Sequence, residues 1–198
     1  MSILVTGVAG SGTTALAASI AMSSSFPFIK LVSPESMVGM NESQKMNSIH
    51  KVFSDAYRSP ASVIVLDSLE RLLDWVSIGP RFSNIVLQAL LVLLKKPPPK
   101  NHKLLVLCTS SLPRILQEME LMDVFQHTLA VPMIETTEHL MYVLEKLGSF
   151  TKLELSSLLV QLPIGFRIPI KRLISVCEMA AQDTDKVEKF VELMKGYY

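Results

Sequence analysis

A short apolar run, Ser2 to Thr6, leads straight into Gly7-Val8-Ala9-Gly10-Ser11-Gly12-Thr13-Thr14, and an alanine-rich stretch with helical character follows from Thr14 to Met22. Few folds use a buried strand that empties through three glycines into a helix. Glycines let successive backbone N–H groups turn inward around an anion, and the helix N-terminus adds the positive end of its dipole. The spacing is that of the phosphate loop G-x-x-x-x-G-K-[ST], with Thr14 where a hydroxyl binds magnesium. The lysine position is Thr13. A lysine there reaches the β- and γ-phosphates as a point charge. Losing one such charge-assisted hydrogen bond costs about 1.5–3 kcal/mol, or roughly ten- to more than a hundredfold in affinity. The backbone cradle survives that loss. From the loop alone, weakened phosphate binding and a plain glycine-rich turn both stay open.

A second motif favours the phosphate. Val63-Ile64-Val65-Leu66 is an unbroken aliphatic run that ends on Asp67. A carboxylate at such a strand end is suited to hold a magnesium shell beside the threonine. Where nucleotide is hydrolysed, the next residue is normally an acid that polarises the attacking water. Here it is Ser68, which cannot usefully take that proton. Glu70 is two residues further on and is expected to point elsewhere, as a solvated glutamate near a helix N-terminus.

Around these motifs, strand-like and helix-like runs alternate. Strands are expected at Ser2–Thr6, Phe28–Val32, Val63–Leu66, Leu104–Leu107 and Leu129–Val131, with helices at about 43–57 and 82–95. The second of these helices ends on Pro97-Pro98-Pro99, which cannot continue it. Such alternation predicts an α/β fold, a five-stranded parallel sheet wrapped by helices. After Pro132 the strand pattern stops. Helical spacing then covers 136–147, 152–161, 170–182 and 186–195, with a turn at Pro163 and Gly165. Residues 1–132 are therefore read as a nucleotide-binding subdomain and 133–198 as a helical lid subdomain.

Composition removes several classes of function. The net charge of +1 gives no bulk electrostatic attraction for nucleic acid. Apolar residues make up 49%, yet the run Ile85 to Leu94 is too short to span a bilayer, so no membrane insertion is expected. The first 22 residues have the greasiness of a signal peptide but no basic start, since the first Lys or Arg is Lys30. Cys108 and Cys177 are too few and too far apart for a disulfide or metal framework, which fits a reducing, cytoplasmic compartment.

Longer stretches carry a specific likeness. Phe26-Pro27-Phe28-Ile29-Lys30, Glu70-Arg71-Leu72-Leu73-Asp74 and Ile78-Gly79-Pro80-Arg81-Phe82-Ser83-Asn84 belong to it, as do 86–96, Leu116-Gln117-Glu118-Met119-Glu120 and Ile170-Lys171. In these the chain resembles the second ATPase domain of the N-ethylmaleimide-sensitive fusion protein family, AAA machines that disassemble SNARE complexes. The resemblance implies a P-loop NTPase fold of AAA type, ATP and magnesium as ligands, and a homo-hexameric ring. It also implies SNARE complexes and their adaptors as partners of the parent protein, and a location peripheral to vesicle and Golgi membranes. By position, Gly7, Val8, Ala9, Gly10, Ser11, Gly12, Thr13, Thr14 and Ala15 would line the nucleotide, and Thr14 and Asp67 would face the metal. Thr109 matches a polar sensor of the γ-phosphate and Lys171 the basic sensor of the lid. The segment that cradles adenine in that family is absent before Ser2, so a piece of a longer protein is expected.

The departures are as informative. Thr13 and Ser68 stand where the family has its lysine and an acid. Arg114 is the only arginine between Thr109 and Phe125 and does not match a finger to a neighbouring site. Met37-Val38-Gly39-Met40 lacks the aromatic of a gripping pore loop. The expected activity is ATP binding and assembly with little or no hydrolysis. Two alternatives remain: a nucleotide-free interaction scaffold, and an active ATPase in which Lys171 or Arg172 and Glu70 replace the missing groups.

Overall fold

The protein is described from a computed structural model covering residues 1–79, 81–162 and 165–198. Pro80, in one of the diagnostic stretches, and Pro163, read as part of a turn, lie outside the described residues. The chain forms two compact units, one of residues 1–7 and 13–131 and one of residues 8–12 and 132–198.

The first unit is built on five parallel strands, β1 (Ser2–Thr6), β2 (Phe28–Val32), β3 (Ala61–Leu66), β4 (Lys103–Ser110) and β5 (His127–Ala130), in the order β2-β3-β4-β1-β5. Its helices are α1 (Thr13–Ser23), α2 (Glu42–Ala56), the single turn α3 (Leu69–Leu72), α4 (Asn84–Lys95) and α5 (Pro113–Glu118). Period-two alternation divides the aliphatic run of β3 between two cores. Ile64 and Leu66 join Phe53, Leu90 and Val106 under α2 and α4. Val63 and Val65 pack with Leu107 against Ala17 and Ala21 of α1, whose small side chains let that helix approach the strands. Burial on both faces is why β3 reads as a continuous apolar run.

Local signals set the helix boundaries. Asn41 and Gln44 form a reciprocal capping box, each side chain accepting the other's backbone N–H at 2.9 Å, and so start α2. Ser83 caps α4, which therefore begins at Asn84 rather than at Phe82 as periodicity suggested. The last strand is also shifted. It spans His127–Ala130 instead of Leu129–Val131, because it is a solvent-exposed edge strand whose polar start carries no hydrophobic signal.

The second unit holds α6 (Thr137–Leu147), α7 (Lys152–Gln161), α8 (Ile170–Ala180) and α9 (Lys186–Met194). Its own core gathers Leu140, Leu144, Leu158, Phe166, Leu173 and Phe190, with Phe150 edge-on to Phe190 at 5.4 Å. A capping box of Thr151 and Glu154 starts α7 and holds the Glu154 carboxyl below its usual range, chiefly through the Thr151 backbone N–H.

Leu90 is fully buried between α4 and the sheet core. Leu90→Ala is expected to cost about 2–5 kcal/mol, read as a lower denaturant midpoint with the m-value unchanged.

Candidate functional site

The carboxyl ends of β1, β3 and β4 lie side by side, the edge at which open parallel sheets take their ligands. Register places Leu66 against Cys108 and Val5 against Thr109, so Asp67, Thr109 and the chain leaving β1 converge. Asp67 is the centre of that convergence. Its Oδ1 accepts hydrogen bonds from the hydroxyls of Thr14 at 2.6 Å and Thr109 at 2.7 Å, and its Oδ2 accepts from the Ser68 hydroxyl at 3.2 Å. The carboxylate is 8% exposed, and a buried charge of this kind is tolerable only when so paired.

Ser68 adopts left-handed backbone angles, φ 52° and ψ 66°. That conformation aims its N–H at Thr109 Oγ1, 2.8 Å away. Strain of this kind in a non-glycine residue persists only where its surroundings hold it. Here the hydrogen bonds to Thr109 and Asp67 do so.

Glu70 differs from expectation in one respect. It was expected as a solvated glutamate, yet it is 6% exposed. Its Oε1 accepts from the Ser111 hydroxyl at 2.7 Å and the Ser111 N–H at 3.1 Å, while Oε2 is buried without a partner. The turn after β4 closes over it, a contact that neighbouring residues in sequence do not reveal.

The loop residues Val8–Gly12 group with the helical unit. Gly10 and Gly12 have φ of +86° and +93°, a region that side chains disfavour and a phosphate cradle uses. The Gly10 carbonyl accepts the Lys171 N–H at 3.0 Å, and a Cβ on Gly12 would sit 3.4 Å from Ile170. The structure therefore brings Lys171 to the loop through its backbone, with its side chain exposed. Ser11 Oγ is buried and has no partner, a hydroxyl available to a ligand. Gly7 donates its N–H to Ser110. Thr13 is half-buried, and Val8, Ala9, Thr14 and Ala15 are exposed.

Each unit, taken by itself, offers groups that fit part of a magnesium-bound nucleotide. Asp67 and Thr14 form the oxygen pair that a hard cation takes alongside phosphates and water. The glycine conformations suit a phosphate, whereas Thr13 and Ser68 stand at the motif positions of the lysine and the second acid. Burial pushes the Cys108 thiol at this edge far above its ordinary range. Met37 is buried and Val38 is 84% exposed, so no aromatic stands at the tip of that loop.

Comparison with known proteins places the chain in a family. Residues 3–133 match the model of the ATPase family associated with various cellular activities. The chain belongs to the AAA family. It is 44% identical over 98% of its length to the vesicular-fusion protein sec18 of Schizosaccharomyces pombe, of which it covers 25%. It is 47% identical to the vesicle-fusing ATPases of Dictyostelium discoideum and Arabidopsis thaliana, over 92% and 90% of the chain and 24% of each relative. The chain thus spans about a quarter of the length of these relatives. The crystal structure of the FIGL-1 AAA domain in complex with ADP superposes with a TM-score of 0.70 at 20% identity, over 100% of this chain and 72% of that one. The AAA fold read from the sequence is the fold observed, and the likeness to vesicle-fusing ATPases holds at the level of the relatives.

Glu70→Ala strips both Ser111 donors of their acceptor and is expected to cost about 1–3 kcal/mol. Glu70→Gln keeps the accepting oxygen and should cost clearly less, both read from urea unfolding.

Proposed function

We propose that this AAA domain is the nucleotide-binding, ring-forming module of a hexameric vesicle-fusion ATPase that disassembles SNARE complexes, and that it turns over negligible ATP itself. The relatives support the first part. The observation that carries the second is the fate of the side chains beside Asp67. Ser68 spends its hydroxyl proton on Asp67, and Glu70 is sealed against Ser111. Neither offers an exposed carboxylate oxygen to a water molecule, so an attacking water has no general base there.

Binding is a separate matter. An ionised carboxylate accepts about four hydrogen bonds. Three sites on Asp67 are filled, and one on Oδ2 is left for a metal-bound water. Thr14 donates its proton to Asp67 and keeps both lone pairs for a cation. A magnesium ion held by Thr14 and, through water, by Asp67 would supply positive charge against the phosphates. The loop glycines and the Ser11 hydroxyl supply the phosphate cradle. Thr13 contributes no charge, so affinity is reduced rather than lost.

In this reading the domain acts by assembling, held at vesicle and Golgi membranes from the cytoplasmic side through SNARE complexes and their adaptors. Among the described residues no helix is long and apolar enough to cross a membrane. The buried Met37 supports packing over pulling.

Thr13→Lys should tighten ATP binding about ten- to a hundredfold by calorimetry and leave turnover negligible. Sedimentation with and without ATP should show larger assemblies with nucleotide. Absence of binding at millimolar ATP in both wild type and Thr13→Lys would instead favour a nucleotide-free scaffold.

A further inference from the structure

Lys45, near the start of α2, is 9% exposed. Its ammonium pairs with the carboxylate of Asp74, whose side chain is 46% exposed on the turn after α3. An ammonium has three donors, and among the described residues Asp74 is the one side-chain acceptor that it reaches. A nearly buried cation with uncommitted protons costs free energy unless something else accepts them. Lys45 lines a cavity of about 250 Å³ together with Pro34, Met37, Val38, Met40, Arg71 and Asp74. Arg71 is exposed and forms no ion pair among the described residues.

A second cavity, of about 650 Å³, shares Arg71 and Asp74 and adds Glu42, Trp75, Arg81 and Phe82. Together the two hold three cations against two acids, an excess of one positive charge. Their apolar walls come from Met37 and Val38 in the first and from Trp75 and Phe82 in the second. The turn that carries the aromatics is fixed at its root. The Trp75 N–H donates to the Glu70 carbonyl at 2.9 Å, the Val76 N–H to the Arg81 carbonyl at 3.1 Å and the Ser83 N–H to the Leu73 carbonyl at 2.8 Å. A site held in this way needs little ordering when it binds.

We propose that these cavities bind a carboxylate side chain of an acidic polypeptide segment whose neighbouring residues are apolar. A carboxylate has about four acceptor sites. The Arg71 fork supplies two parallel donors, and the Lys45 ammonium supplies the other two. The single excess charge matches one carboxylate, whereas a doubly charged phosphate carries one charge too many beside Glu42 and Asp74. The apolar walls favour a peptide over a free small acid, because residues flanking the acid would cover Trp75 and Phe82. Docking of this kind needs no aromatic in Met37-Val38-Gly39-Met40. The site uses neither Asp67 nor the glycine loop, so it stands or falls apart from the nucleotide-binding reading.

Trp75 is the only tryptophan of the chain, so its emission reports on the site. The probes are two short, end-blocked, dye-labelled peptides of alanine and leucine, one with a central glutamate and one with glutamine in its place. Each is titrated against the whole chain, with peptide anisotropy and Trp75 emission read together. The glutamate peptide should bind about tenfold or more tighter, as charge-assisted hydrogen bonds require, and should shift Trp75 emission. Arg71→Ala alters an exposed side chain and should cut that preference at least about threefold with the urea midpoint unchanged. Lys45→Met should cut it as well, and where that variant does not fold Arg71→Ala decides alone. Acetate should displace the glutamate peptide at lower concentration than inorganic phosphate does. Equal binding of the two peptides, or of neither, would overturn the proposal. So would a preference undiminished in Arg71→Ala, binding that leaves Trp75 emission unmoved, or phosphate displacing the peptide before acetate.

Discussion

A carboxylate that is nearly out of water must be surrounded by donors, and Asp67 obtains them from three hydroxyls on three segments. Thr14 comes from the start of the helix after β1, Ser68 from the residue after Asp67 itself, and Thr109 from the end of β4. The parallel register that sets Leu66 beside Cys108 makes the meeting possible. Each partner is then constrained in turn. Ser68 takes a left-handed backbone to serve both Thr109 and Asp67, and the chain that follows swings Glu70 under the turn after β4, onto Ser111. The ends of β3 and β4 are cross-tied twice, once through Thr109 and once through Ser111.

This arrangement gives the missing catalytic groups a structural meaning. A serine after Asp67 is more than an absent acid, because its hydroxyl occupies the metal-side carboxylate and its backbone holds the threonine opposite. Likewise, Glu70 is a structural acid whose free oxygen is buried away from water. Around Asp67 the hydroxyls of Thr14, Ser68 and Thr109 are mutually engaged, while Glu70 Oε2 stays without a partner. In the function proposed above, hydrolysis would need groups that Thr13 and Ser68 do not supply, whereas binding would draw on the glycines, Thr14 and Asp67.

Much of this was legible in the sequence, for definite reasons. Strands β1 and β2 were placed to the residue and β3 recognised, β1 and β3 as buried aliphatic runs and β2 as a short, largely exposed run rich in aliphatic residues. The loop and Asp67 were legible because strand, glycines and acid recur at fixed offsets. The burial of Glu70 was not. Its partner Ser111 is 41 residues away, and no local pattern encodes which turn closes over a strand end. The short helices α3 and α5 were missed because one or two turns carry too little periodicity to stand out. Nor could the sequence show that Thr109 spends its only proton on Asp67, since that follows from the register of two strands.

The central claim is that the domain retains the acid that supports nucleotide binding and has lost the groups that support turnover. Magnesium-dependent ATP turnover by the chain, compared with that of Asp67→Ala, tests it most directly. The account predicts background phosphate release from both, together with weaker nucleotide binding in the variant. Measurable turnover in wild type that Asp67→Ala abolishes would contradict it.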